Sequence, residues 1–128
     1  MGVKMRAALD ANGRVIDWCH SSYGDTHRAR PRPGPGRVGP SRLLAALHLE
    51  NPAPAYKATP NMARHAGNHR NADPIYAFAQ RSIHKHLVPG LALRTSAMRT
   101  LGAFANVFAI ESFMDELSDT AGIDAVEF

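Results

Sequence analysis

Ala103, Val107, Ile110, Met114 and Leu117 recur at steps of four, three, four and three, and no other pattern in the chain constrains its fold so tightly. That spacing marks one face of an α-helix and predicts a helix over residues 103–118. Phe104, Phe108 and Phe113 widen the apolar sector, so the first two turns are apolar nearly all round. Glu111, Ser112, Asp115, Glu116 and Asp119 make the later turns polar. The gradient predicts that the amino end is driven into a core while the carboxyl end stays near solvent. Acids then stand at the unfavourable end of the helix dipole, so burial must outweigh that electrostatic cost. Thr120-Ala-Gly122 reads as a left-handed stop. Asp124 and Glu127 then have the spacing of a capping box, which announces another helix and reads as a sign of truncation.

Ahead of this helix the pattern changes. Residues 3–9 and 14–21 flank Asp10-Ala-Asn-Gly13, and Asn-Gly tolerates the positive φ angles of a tight turn, so residues 1–22 read as a β-hairpin. On its second strand Ile16, Trp18 and His20 share the side expected to face the core. Residues 23–73 read as mostly irregular, with prolines and glycines crowded between Pro31 and Gly36 and a short helix at 41–49. In the last part, 74–128, extended segments at 74–78 and 82–88 and a further strand from 91 to 95 precede the helix. The expected class is α+β: a hairpin and short strands with one long buried helix. So long an irregular stretch is uncommon in a self-contained domain, which points to part of a larger one.

Charge is unevenly placed. Residues 1–64 carry ten Lys/Arg against four Asp/Glu, whereas residues 65–128 carry five against seven. The basic excess peaks between Arg28 and Arg42, where no acid intervenes. This allows a second reading of the chain as a small basic protein that binds nucleic acid or another polyanion. A solvated loop is favoured instead, since nucleic-acid grooves interleave aromatics for stacking and none lies between Tyr23 and Tyr56. Cys19 is the single cysteine, so no internal disulfide forms. No apolar run approaches the ~18 residues of a membrane span.

Chemistry is concentrated in Ser96-Ala-Met-Arg99-Thr-Leu-Gly102, between the expected strand and the helix. A turn that brings an arginine to a helix start combines a guanidinium, free backbone N–H groups and the positive dipole end, a setting for an anion. Gly102 would let a ligand approach the backbone and Leu101 would supply an apolar wall. The histidine pairs His65/His69 and His84/His86 lack a third ligand, so no metal is assigned. No pairing of carboxylates, or of a nucleophile with a base, marks a catalytic residue.

The segment Leu93-Arg-Thr-Ser-Ala-Met-Arg-Thr-Leu-Gly-Ala-Phe-Ala-Asn-Val-Phe-Ala-Ile-Glu-Ser-Phe-Met-Asp-Glu-Leu117, followed by Ala121-Gly-Ile-Asp-Ala-Val-Glu-Phe128, closely resembles the xanthine dehydrogenase/aldehyde oxidase family. It is most similar to the molybdopterin-binding large subunits of isoquinoline 1-oxidoreductase-like enzymes. Met5 to Trp18 resembles that family's strand hairpin, and Arg70 to Phe78 its next strand region. The resemblance implies a fragment of a molybdenum hydroxylase large subunit, part of a larger molybdopterin-binding domain. The parent would oxidise aldehydes or N-heterocycles by water-derived hydroxylation and pass electrons to iron–sulfur clusters on a small partner subunit, in the cytoplasm or the periplasm. Arg99 and Gly102 match the family's Arg-x-x-Gly loop beside the cofactor. Arg99, Thr100 and Gly102 are thus expected to bind molybdopterin, and Leu101 to line the substrate pocket. Many members have Gly and Phe where this chain has Thr100 and Leu101, which removes an expected ring contact. The family's catalytic Glu has no counterpart here, so the chain alone is expected to be inactive.

Overall fold

The computed structural model describes residues 1–27, 44–52, 54, 67–93 and 98–128. Strands β1 (Gly2–Leu9), β2 (Val15–Gly24) and β3 (Arg81–Leu87) form one mixed sheet in the order β1-β2-β3, and helix α1 (Ala103–Ala121) packs on it. The result is a small α+β fold.

The hairpin forms as its turn chemistry dictates. The Asp10 carboxylate accepts the backbone N–H groups of Asn12 and Arg14 at 2.8 and 2.9 Å, and Gly13 takes φ 78°. These bonds to its charged form, that from Arg14 foremost, hold the Asp10 carboxyl below its usual range. β1 and β2 pair antiparallel, Met5 opposite His20 and Ala7 opposite Trp18. β3 adds to the other side of β2 in parallel, Trp18 beside Arg81 and Ser22 beside Lys85.

Trp18 is fully buried at the centre of the core, stacked on Phe78 at 4.7 Å and tilted against Phe113 at 5.5 Å. Ile110 and Leu117 of α1 close the cluster, with Met5, Ala7 and Leu9 of β1 packed around it. Such a ring cluster contributes both apolar area and ring-pair geometry.

Several expectations are corrected. Residues 74–78 form no strand; Tyr76 and Phe78 instead bring their rings to the core cluster, and the Tyr76 hydroxyl donates to Glu111 at 2.6 Å. Residues 91–93 are likewise not a strand, while 94 and 95 lie outside the described residues. Of the helix expected at 41–49, Leu44–His48 form a 3-10 turn, while residues 41–43 and the basic stretch from Arg28 to Arg42 lie outside the described residues. Helix α1 is longer than expected and ends at Gly122 (φ 67°), whose N–H and that of Ile123 are bonded to the carbonyls of Asp119 and Ser118. Asp124 caps a following turn through its bond to Val126 N–H at 2.9 Å. No helix among the described residues is long and apolar enough to cross a membrane.

The largest correction concerns which side of α1 is buried. Phe104 is 73% and Phe108 67% exposed, whereas Asn106, Ile110, Leu117 and Ser118 are buried. The core face is thus centred on Asn106, Ile110, Phe113 and Leu117: of the expected stripe Ile110 and Leu117 are buried and Met114 packs against them, while Val107 is exposed. At ~100° per residue this face and the expected stripe differ by roughly 50°. A polar anchor turns the helix to this angle.

Candidate functional site

The anchor is Asn106. Its side-chain amide donates to the backbone carbonyls of Asn68 and Arg70, at 2.8 and 2.9 Å. Both N–H bonds are thereby directed at carbonyls, so Oδ1 faces His20 Nε2 at 3.1 Å and accepts from it. This fixes the His20 tautomer: Nε2 carries the proton and Nδ1 keeps a lone pair. His20 and Asn106 are both fully buried, and Nδ1 has no partner. One amide therefore ties together β2, the turn at 67–72 and the first turn of α1.

Burial holds the His20 imidazole below its usual pKa, with the Asn106 hydrogen bond opposing it in part. Below about pH 6.5 the unfolded chain therefore binds a proton that the folded chain resists, and stability falls as pH falls from there toward the lower folded value. Above that range the contribution of the neutral ring is complete. We expect the urea midpoint to drop between pH 7.5 and 5, at most by about 1.4 kcal/mol of stability per pH unit. His20→Gln keeps a donor for Asn106 without a titrating ring and should remove that part of the slope; an unchanged slope in the variant would count against this assignment.

The turn tied down by Asn106 lies beneath the Arg99 loop. Gly102 N–H donates to Gly67 O at 3.0 Å, Leu101 N–H to Met98 O at 3.0 Å and Ala103 N–H to Thr100 O at 3.1 Å. Thr100 Oγ1 bonds Arg99 O at 2.6 Å and accepts Phe104 N–H at 3.3 Å. The backbone donors expected to await an anion at residues 101–104 are thus engaged within the chain. Gly102 also differs from expectation. Its backbone is ordinary helix (φ −81°), but a Cβ would lie 2.2 Å from Asn68 O. The glycine admits the chain's own carbonyl and not a ligand.

The loop is bent to an unusual degree. Thr100 and Leu101 have φ of 63° and 58°, a left-handed conformation that is strained for a bulky residue and an outlier for a β-branched one. Gly67, itself at φ 84°, leaves room for the Leu101 side chain, whose Cδ1 would be 2.7 Å from a Cβ there.

Arg99, Thr100 and Leu101 together line a cavity of about 490 Å³, with Asn68, Asp25 and Phe104 among the other walls. Three of the four residues expected at the site are therefore brought together, while Gly102 supports the loop by its contact with Asn68. Sequence reasoning missed Asn68, which is buried, donates Nδ2 to Asp25 O at 2.8 Å and leaves Oδ1 without a partner. It also missed the clamp by Asn106, whose one visible signal is a polar residue interrupting an apolar run. Asp25 is occupied structurally: its carboxylate accepts Thr26 N–H at 2.6 Å and Gly90 N–H at 3.2 Å. Among the described residues no group of three or more His, Cys, Asp or Glu is placed to hold a metal ion.

Compared with protein-family models, with curated proteins and with solved structures, the chain gives no match.

Proposed function

We propose that this chain is part of the large subunit of a molybdenum hydroxylase, and that the turn at Arg99–Thr100–Leu101 forms one wall of its pterin and substrate pocket. The observation that carries the reading is the Arg99 cavity, where the arginine of the family's loop pattern stands beside the strained residues Thr100 and Leu101. Strain of this kind concentrates where a site must hold a fixed shape.

The donor set fits one wall of a pocket for an anionic pterin. Arg99 supplies a guanidinium for phosphate or another anionic group. Asn68, buried and with its Nδ2 bonded to Asp25 O, shapes the floor beneath that wall. Leu101 and Phe104 give apolar and aromatic surface; Phe104, one turn into the helix, takes the part of the ring that Leu101 lacks. When bound, the molybdenum–pterin group supplies the two-electron redox chemistry for oxidising an aldehyde or N-heterocycle, with iron–sulfur clusters of a partner subunit as acceptors. This chain's part is to bind, orient and exclude water. No proton-transfer residue is assigned to it, so it is inactive alone, and the rest of the large subunit completes the domain.

A pterin probe tests the wall directly. Titrating 6-carboxypterin into the chain and following pterin fluorescence should give saturable binding, weakened about tenfold or more in Arg99→Ala, the scale of a charged hydrogen bond. Absence of saturable binding, or equal binding by the variant, would remove the support for this reading.

A further inference from the structure

The face of the sheet turned away from α1 brings rings and cations together. Met5, Ala7, Trp18 and Ile83 point to the core, so the residues alternating with them point to the outer side. There the strand pairing sets Gly2, Tyr23 and His86 in one row across the three strands. Lys4 begins the next row on β1, and Arg6 the one after it, opposite Cys19. Lys4 and Arg6 are exposed, and the one ion pair among the described residues, Arg81 with Asp73, does not involve them. Asp17, the one acid in the three strands, stands a row further on, opposite Ala8.

The first row is built to take a flat ring. Tyr23 and His86 stack at 4.4 Å with their rings 8° from parallel, so His86 covers the face of Tyr23 toward β3. On the β1 side the same row holds Gly2, and nothing lies within 4 Å of the position a Cβ would occupy there. The second face of Tyr23 is therefore clear above β1, and a ring laid there extends the column of two. Lys4 and Arg6 stand ~7 Å apart along β1, as alternate residues of a strand do. That spacing suits successive phosphates of one extended strand better than a single phosphate group. Stacking surface joined to cations is the combination that holds single-stranded nucleic acid. A duplex keeps its base faces stacked on one another and cannot offer one to Tyr23.

We propose that the outer face of the sheet binds single-stranded nucleic acid, a base stacking on Tyr23 above Gly2 and successive phosphates meeting Lys4 and Arg6. None of these residues lines the Arg99 cavity, so this proposal and the pterin reading can each fail without the other. It is also distinct from a role for the stretch between Arg28 and Arg42, which holds cations but no ring.

Fluorescence anisotropy of a labelled oligothymidylate of about 12 nucleotides, titrated with the full chain, should saturate with a dissociation constant of roughly 1–100 μM. Lys4→Ala combined with Arg6→Ala should make the logarithmic salt slope shallower by about 1.4, ~0.7 for each cation lost. Gly2→Leu fills the space beside Tyr23 and should weaken binding ~5-fold or more, the scale of one stacked base. All three positions are exposed, so circular dichroism of the variants should match the parent. Cys19, the single cysteine, lies beneath the bound strand opposite Arg6, and saturating oligothymidylate should slow its alkylation by iodoacetamide. Absence of saturable binding, a salt slope unchanged in the double variant, indifference to Gly2→Leu or an unprotected Cys19 each overturns the proposal. Equal binding by poly-glutamate, which has no bases, or by thymidine monophosphate, which has one phosphate, overturns it as well.

Discussion

Gly102→Ala is expected to destabilise the chain by at least about 3–4 kcal/mol, a large part of the total stability of a small domain. The added methyl would stand 2.2 Å from Asn68 O, 2.6 Å from Asn68 C and 2.7 Å from Gly67 O. All three are backbone atoms, which no side-chain rotation can move aside. To relieve the clash, the 67–68 backbone and the helix start must separate, which breaks the 3.0 Å bond from Gly102 N–H to Gly67 O and strains both Asn106 bonds to the same turn. Gly122→Ala provides the control. Gly122 has φ 67° but nothing within 4 Å of the added carbon, so only the left-handed backbone is penalised, by about 1–2 kcal/mol. Urea denaturation of both variants measures the difference. If Gly102→Ala is no more harmful than Gly122→Ala, the close approach is not what seats the Arg99 loop, and the cavity wall loses its foundation.

The contrast shows where sequence and structure part company. Gly13 and Gly122 announce themselves, because Asn-Gly between alternating segments and a glycine after a periodic run both predict positive φ. Both positions have it. Gly102 is in ordinary helical geometry, and its necessity comes from residues 67 and 68, far away in sequence. Trp18 and His20 were legible as one buried face of a strand, but Ile16, expected on that core side, is 44% exposed. The partner strand β3 was legible as an extended segment, but its parallel register with β2 was not, since period-two alternation is blind to strand direction. The helix was legible in extent and, through Ile110, Met114 and Leu117, in part of its core face, but not in the outward turn of Phe104 and Phe108. Hydropathy ranks Phe104 and Phe108 above Asn106, and it cannot register that one asparagine satisfies two carbonyls and a buried imidazole at once. At the site, the chain pattern brought Arg99, Thr100 and Leu101 to notice; Asn68 carried no local signal, because its role depends on lying beneath a loop thirty residues later.

Replacing Asn106 tests that rotation. Asn106→Ala would leave His20 Nε2–H and the carbonyls of Asn68 and Arg70 without their bonds. His20 and Asn68 are buried, so water cannot readily replace the lost partner. Each orphaned buried group costs about 1–3 kcal/mol, and because the three share one centre the losses do not simply add. A total loss of about 3–5 kcal/mol is expected, read from urea midpoints at pH 7.5. Asn106→Leu separates bonding from volume, since it fills the space but bonds to none of the three groups, and it should recover only the cavity part of the loss. Hydrogen exchange should then show the backbone N–H groups of Gly102 and Arg70, both bonded to Gly67 O, opening sooner than in the parent. Near-parental stability and protection in Asn106→Leu would mean that apolar filling alone sets the helix, and that the outward turn of Phe104 and Phe108 has some other cause. The clamp and the exposed phenylalanines are two sides of one rotation: whatever fixes Asn106 inward also presents the opposite face of α1.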